Sequence, residues 1–453
     1  MNAGRRLAVL ATATVVSLGA VVLGSGAPAG AASAAKAPAT GKRTDFNGDG
    51  YADLAVTSRD AVSVLYGGKT GLSAGRNQLI TPVKYVDDGS YRGFGITMAT
   101  GDLDGDGYDD LAVGADPRGP SLAIVWGGPK GLSGRTPLRD SGDVSVVAGD
   151  FDGDGHNDLV VSASTGNELL RGPFGRDGSS VSSTRLDTGL ATGGPRAAGD
   201  VNGDHVADLL LIGRDAGLRA EASLLLGSKN GFGAPKVIPT MVNSGTIADV
   251  DGDGHGDVVL GAGLAGYQPK GVVGGSVVVM YGGSGGLSAT RKPVRISQDT
   301  PGVPGVGETY DRFGFDLDAG DMNGDGYADI AIGVMQENVS GVTATGTVTV
   351  LRGSPKGLTG TGSVSYNQNT PGVPGVNEKY DEFGWAPRLV DMNGDRRSEL
   401  AVGTDGENGS EGNLWYFKSG SAGLTTKGVV SVGPRSVGLP TAKYRYFARY
   451  LVK

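Results

Sequence analysis

Apolar residues along this chain come in short bursts. Runs such as "DLAV" (53–56), "DLVV" (158–161), "DLLL" (208–211), "DVVL" (257–260), "DIAI" (329–332) and "ELAV" (399–402) are each followed by polar or glycine-rich sequence. A second set keeps the same beat: "VSVLYGGKTGLS" (62–73), "LAIVWGGPKGLS" (122–133), "ASLLLGSKNGFG" (222–233), "VVVMYGGSGGLS" (277–288), "TVLRGSPKGLT" (349–359) and "LWYFKSGSAGLT" (414–425), with "NELLRGPFGRDG" (167–178) as a degenerate copy. Runs this short, rich in β-branched residues and ended by glycine turns, predict strands joined by tight hairpins. Length alone would suggest about three domains of roughly 150 residues. The repetition overrides that reading, because a period near 50 with several strands per unit predicts a β-propeller.

Between the strands stands a repeated polar loop. Its copies are "DFNGDGYAD" from Asp45, "DLDGDGYDD" from Asp102, "DFDGDGHND" from Asp150, "DVNGDHVAD" from Asp200, "DVDGDGHGD" from Asp249, "DMNGDGYAD" from Asp321 and "DMNGDRRSE" from Asp391. The starts are separated by 57, 48, 50, 49, 72 and 70 residues. Every copy has Asp at position 1, Asp or Asn at 3, Gly at 4, Asp at 5 and an acid at 9.

Like charges so close repel, unless a cation gathers them. A hard cation such as Ca²⁺ takes six to eight oxygen ligands. Positions 1, 3, 5 and 9 can supply carboxylates or amide oxygens, and position 7 a backbone carbonyl. Glycine at 4 and 6 permits the tight turn. The expected ligands in the first three loops are Asp45, Asn47, Asp49, Tyr51 and Asp53; Asp102, Asp104, Asp106, Tyr108 and Asp110; and Asp150, Asp152, Asp154, His156 and Asp158. In the next two they are Asp200, Asn202, Asp204 and Asp208, and Asp249, Asp251, Asp253, His255 and Asp257. The last two offer Asp321, Asn323, Asp325, Tyr327 and Asp329, and Asp391, Asn393, Asp395 and Glu399. No glutamate stands at position 12 and strands follow in place of a helix, so these are calcium-binding β-hairpin loops and not EF-hands. Weaker binding is expected at the fourth loop, where His205 replaces glycine, and at the seventh, which carries Arg396 and Arg397.

The composition fits this reading. Positions 1, 3, 5 and 9 of the loops hold 24 of the 48 acidic residues, and seven Ca²⁺ would more than cancel the net charge of −8. The 83 glycines show no three-residue period, which excludes collagen. There is no cysteine, so neither disulfides nor a thiol nucleophile is available, and the three histidines lie inside the loops. No basic stripe for nucleic acid is present. The loose acids Asp87, Asp88, Glu308, Asp311, Glu378, Asp381 and Glu382 are read as turn-capping groups and not as catalysts; no catalytic residue is assigned.

Phe-Gly precedes several loops, as in "RGFGITMATGD" (92–102), "DRFGFDLDAGD" (311–321) and "DEFGWAPRLVD" (381–391), and "LAVGADP" follows one at 111–117. These features resemble the FG-GAP repeat. The resemblance spans about residues 42–453, although Phe-Gly is missing before the loops at 150, 200 and 249. It implies an all-β, seven-bladed propeller of the kind found in integrin α-subunits and secreted bacterial proteins. Tyr446-Phe447-Ala448 looks like a worn Phe-Gly strand, so the C-terminal strand is expected to complete the first blade. Two related insertions, "SQDTPGVPGVGETYDRFG" (297–314) and "NQNTPGVPGVNEKYDEFG" (367–384), are expected as ordered loops on one face.

The N-terminus has a basic start, an apolar stretch and A-x-A sites, the pattern of a secretory leader. Residues 1–34 are expected to be removed and 35–41 to form a linker, leaving a secreted monomer without membrane insertion. The resemblance implies a binding or adhesion module for an extracellular protein or glycan and not an enzyme. The alternatives are a lectin, for which Trp126, Trp385 and Trp415 are the available platforms, and a polysaccharide-degrading enzyme, which would need acids facing one channel.

Overall fold

The computed structural model describes residues 44–59, 61–81, 94–114, 122–139, 145–163, 166–217, 219–264 and 270–453. The expected leader and linker, together with Asp87 and Asp88, lie outside the described residues. The strands assemble into seven four-stranded antiparallel sheets, the blades of a propeller. Blades two to seven are built from consecutive strands. Blade two, for example, runs Met98–Gly101, Asp110–Gly114, Leu122–Trp126 and Ser133–Arg139 from the axis outward. Blade one takes Leu54–Ser58, Ala61–Leu65 and Asn77–Ile80 from the start of the described chain. Its innermost position is filled by Leu451–Val452, with Ala55 opposite Val452 and Val56 opposite Leu451.

The all-apolar bursts occupy the second and third strands of the blades. Leu54–Ser58, Ala61–Leu65, Asp110–Gly114 and Leu122–Trp126 are buried at every residue. Each blade is sandwiched between two others, so both faces of its middle strands are covered and period-two alternation disappears. Among the described residues, seven apolar clusters fill the spaces between successive blades. The cluster between blades seven and one combines Leu54 and Val56 with Leu414, Tyr416, Phe447, Ala448 and Leu451. Strand four faces outward; Ser182–Arg185 is fully exposed.

Phe313, Phe383 and Phe447 are completely buried. Each donates its N–H to a carbonyl in the hairpin between strands two and three of the preceding blade: Gly274 at 2.7 Å, Thr345 at 2.8 Å and Glu411 at 2.9 Å. Phe447 thus stands where the Phe-Gly pairs of the two preceding blades stand. Antiparallel connection sends the acidic loops, between strands one and two, to one end of the blades. The two Pro-Gly insertions join strand four of one blade to strand one of the next, and lie at the other end.

Candidate metal centres

Each acidic loop is shaped by its own first aspartate. In the first loop, Oδ1 of Asp45 accepts the N–H of Gly48 at 2.7 Å and of Asp49 at 3.2 Å, and Oδ2 accepts that of Gly50 at 2.8 Å. Position 5 in turn accepts from position 7, as Asp49 does from Tyr51 at 3.0 Å. This folds the acids inward before any ion is considered. The turn needs two left-handed residues. Position 4 is always glycine, with φ from 70° at Gly48 to 78° at Gly105. At position 6, His205 and Arg396 adopt φ 68° without being glycine. Both still donate to position 1, at 2.8 Å to Asp200 and 2.9 Å to Asp391, so the loop shape survives the substitutions.

Positions 1, 3 and 9 converge. Oxygens of Asp102, Asp104 and Asp110 lie within 4.8 Å of one another, as do those of Asp150, Asp152 and Asp158 and those of Asp249, Asp251 and Asp257. The position-5 acids Asp106, Asp154 and Asp253 are not in these groups. In the other four loops Asn47, Asn202, Asn323 and Asn393 stand at position 3. Three of them turn their amide N–H to the acid at position 5: Asp49 at 3.3 Å, Asp204 at 2.9 Å and Asp325 at 2.9 Å. Asn393 instead donates to Glu399.

Position 9 has a second task that its spacing does not reveal. Asp329 is fully buried and accepts two backbone N–H groups at 3.0 Å: Met322 at loop position 2, and Gly353, where the blade's outer hairpin begins. The same fork is made by Asp53 on Phe46 and Gly67, Asp110 on Leu103 and Gly127, Asp158 on Phe151 and Gly172, Asp208 on Val201 and Gly227, and Asp257 on Val250 and Gly282. The longer Glu399 keeps the contact to Met392 at 3.0 Å and, besides Asn393, accepts from the Ser419 hydroxyl at 3.1 Å. Position 2 is always apolar and fully buried, from Phe46 to Met392, which anchors the loop in the core.

The loops also hold one another. The N–H at position 8 donates to the carbonyl at position 1 of the loop before it: Asp109 to Asp45 at 3.0 Å, Ala207 to Asp150 at 2.9 Å, Gly256 to Asp200 at 2.6 Å, Ala328 to Asp249 at 2.9 Å and Ser398 to Asp321 at 2.7 Å. The side chain at position 7 lies against the position-4 glycine of that same loop. A Cβ on Gly48 would come within 2.5 Å of the Tyr108 ring, and one on Gly153 within 2.9 Å of Val206. Position-4 glycine is therefore required twice, by the turn and by the neighbour. Arg397 follows the same rule, its Nε donating to the carbonyl of Asn323 at 3.3 Å.

Electrostatics separates the loops into two kinds. The three with Asp at position 3 each meet an arginine: Arg176 on Asp104 at 2.6 Å, Arg171 on Asp152 at 3.1 Å, and Arg291 on Asp251. Over positions 1, 3, 5 and 9 those loops carry four carboxylates, so one guanidinium brings them to the formal −3 of the Asn-bearing loops. Burial, reinforced by the neighbouring loop acids, pushes the position-9 carboxyl up to about 7 in Asp53, Asp110, Asp257, Asp329 and Glu399. In Asp158 and Asp208 it reaches about 6. A group of three or four oxygens in which burial disfavours charge is one that a divalent cation would stabilise. All-oxygen donors suit a hard ion such as Ca²⁺.

On the axis, the innermost strands line a cavity of about 770 Å³. Two of its acids are paired, Asp316 with Arg388 at 2.7 Å and Asp318 with Lys453 at 2.7 Å, and a third, Asp249, is the first residue of an acidic loop and accepts that loop's own N–H groups. Trp385 lines it edge-on to Phe315, beneath Arg449. Trp126 and Trp415 are core residues, their indole N–H groups spent on Thr136 and on the carbonyl of Pro374.

Comparison with known proteins agrees with the fold. The FG-GAP-like repeat matches residues 45–113, 102–161 and 150–211, and the FG-GAP repeat matches residues 313–351. The chain therefore carries FG-GAP repeats on a seven-bladed propeller. It is 31% identical over 182 residues to phosphatidylinositol-glycan-specific phospholipase D of Bos taurus, covering 39% of this chain and 20% of that protein. It is 32% identical over 262 residues to integrin alpha-PS2 of Drosophila melanogaster, covering 55% of this chain and 15% of that one. The chain thus spans a fifth or less of the length of these two relatives. Among solved structures it is similar to a lectin of Agrocybe aegerita, studied for its recognition of non-reducing terminal N-acetylglucosamine. That likeness has a TM-score of 0.48 and 18% identity, over 72% of this chain and 79% of that one. AofleA of Arthrobotrys oligospora gives a TM-score of 0.40 at 8% identity, over 74% and 86%.

Proposed function

We propose that this FG-GAP propeller is a secreted, calcium-organised binding module, and that the face carrying the Pro-Gly insertions meets its extracellular partner, a protein or glycan. The acidic loops are the structural end. Ca²⁺ at each would neutralise acids that the fold forces together, and so stabilise a ring that has no disulfide. The pairing of Leu451–Val452 with Leu54–Ser58 would close that ring and remove a free sheet edge.

One observation carries the binding reading. Tyr310, Tyr380 and Tyr444 occupy the same place in three successive blades, are 61%, 54% and 58% exposed, and hold φ of 78°, 69° and 59°. Val306 and Val376 stand beside the first two at 67% and 63% exposure. Left-handed backbone is costly for an aromatic residue. A fold that holds three tyrosines outward in that state presents a preformed apolar rim, and loops of this kind carry recognition. Aromatic side chains are also the usual anchors of interfaces.

The axial cavity does not favour catalysis, because Asp316 and Asp318 are paired with Arg388 and Lys453 and Asp249 is taken up by its own loop. No helix among the described residues is long and apolar enough to cross a membrane. The test is capture of partners from the native extracellular medium and on a glycan array, using the whole protein, with and without chelator. Capture should disappear with chelator and with the Tyr310→Ala, Tyr380→Ala double variant. Undiminished capture by that variant would refute the assigned face. Turnover of a polysaccharide by the purified protein would refute the binding-only reading.

A further inference from the structure

Beneath the two insertions lies a polar pocket built twice, seventy residues apart, and remote from the acidic loops. In blade six it is made by Gln298 and Asp311 of the insertion and Glu337 of the hairpin after the second strand. Nε2 of Gln298 donates to Oε2 of Glu337 at 2.6 Å. Oδ2 of Asp311 accepts the N–H of Glu308 at 2.5 Å. In blade seven Gln368 donates to Glu407 at 2.8 Å, and Asp381 accepts from Glu378 at 2.6 Å. Even the outer turn repeats, with Gly307 donating to Asp299 and Asn377 to Asn369, both at 3.0 Å.

The pocket is short of donors. Asp311 is 0% exposed and Gln298 4%, yet Asp311 Oδ1 and Gln298 Oε1 have no hydrogen-bond partner. Gln368 is 1% exposed and its Oε1 is also unpartnered. With the glutamates ionised, the amides cannot be turned to cure this. Each Nε2 is held by a glutamate carboxylate, and reversing it would set oxygen against oxygen. Burial, with Glu337 next among the charges that raise it, pushes the Asp311 carboxyl up to about 7. Burial, then the charge of Asp381, does the same to Glu407. A proton shared between the acids would serve a carboxylate but leave the glutamine oxygen bare. A buried amide oxygen without a donor forfeits its hydration and gains nothing in return. A cation serves all of these oxygens at once.

We propose that each insertion closes over a divalent cation of the calcium class, held by Gln298, Asp311 and Glu337 in blade six and by Gln368, Asp381 and Glu407 in blade seven, apart from the acidic-loop sites. The donors are carboxylate and amide oxygens only, the set that hard cations prefer. Each ion ties the loop that leaves one blade to the hairpin of the next, and so sets the stance of Tyr310 and Tyr380. In the third copy the sequence has Arg445 in place of the aspartate, a cationic residue where the other two copies have an acid.

Native mass spectrometry of the whole calcium-loaded protein tests this. The Asp311→Asn, Asp381→Asn double variant should carry two fewer calcium ions than the wild type and keep the rest. If the acidic loops held none, the count would fall from two to zero, so the two kinds of site are read separately. An unchanged count overturns the proposal. The Gln298→Glu, Gln368→Glu variant decides the matter if the first does not fold. Each substitution adds a carboxylate to the pocket, so calcium should raise its melting temperature by several degrees more than it raises that of the wild type. A calcium-induced rise no larger than the wild type's overturns the proposal.

Discussion

Arg176 grips Asp104, with Nε 2.6 Å from Oδ2 while Nη2 lies 3.0 Å from Asp106. The guanidinium also lies over the Trp126 ring, 4.6 Å from its centroid. It reaches into the acidic loop of the preceding blade and occupies oxygens that an ion would use. Half-exposed pairs of this kind are worth about 0.2–1 kcal/mol. Arg176→Ala should therefore tighten calcium binding at that one loop by about two- to fivefold, as read by competition with a chromophoric chelator. Weakened binding would show that the arginine supports the ion and does not compete with it.

The pH dependence of the cation-free protein has a definite sign. Burial holds the position-9 acids at about 6 to 7 in the folded chain, well above the ordinary 3.8 of an aspartate. Between those values the folded state binds more protons than the unfolded state. Stability from these groups is then complete below about pH 4 and is lost as pH rises through 6 to 7. After exhaustive cation removal, the melting temperature should be higher at pH 5 than at pH 7.5. Calcium in excess should reverse the order, because it binds the deprotonated acids of the folded state. A cation-free melting temperature that rises with pH across this window would contradict the burial argument.

Much of this architecture is legible in the residues themselves. The seven loop starts and the glycine hairpins mark seven units, because a blade must repeat its turns to repeat its strands. Phe447 was readable as a degenerate Phe-Gly from its neighbours alone. What stays hidden is whatever depends on a second element. The fork of Asp329 onto Gly353 joins residues 24 apart, and the Tyr108–Gly48 contact crosses between blades. The arginines on Asp104, Asp152 and Asp251 share no spacing, since they come from different strands and turns. The acids Asp311 and Asp381 do bond backbone N–H groups as their repeated pattern implied. The donor-poor pocket around them becomes visible only when Gln298 and Glu337 are brought together from 39 residues apart.

Asp329→Ala separates the two tasks of position 9. It removes a ligand candidate and also strands the buried N–H groups of Met322 and Gly353. Each costs about 1–3 kcal/mol when left unpaired, so the loss should be about 2–6 kcal/mol and should persist without calcium. Asp325→Ala, at the partly solvated position 5, should lower calcium affinity with little effect on the cation-free protein. Chemical denaturation of both variants with and without calcium distinguishes them. Equal losses for both in the absence of cation would mean that the fork carries no special weight.

The strand Leu451–Val452 is two residues long, yet much converges on it. Leu451 is 3% exposed within the cluster between blades seven and one, and its carbonyl accepts from Arg388 Nε at 3.0 Å. Lys453 follows with its ammonium on Asp318 and on the carbonyl of Ala319, both at 2.7 Å. Leu451→Ala should cost about 2–5 kcal/mol by cavity formation. Removal of residues 450–453 should do more than that, because it uncovers the edge of Leu54–Ser58, an apolar strand ready to pair with another chain. The truncated protein should aggregate on mild heating at a temperature well below the melting point of the Leu451→Ala variant, as followed by light scattering. A truncated chain that stays monomeric and melts like the intact protein would show that packing of the blades alone holds the ring.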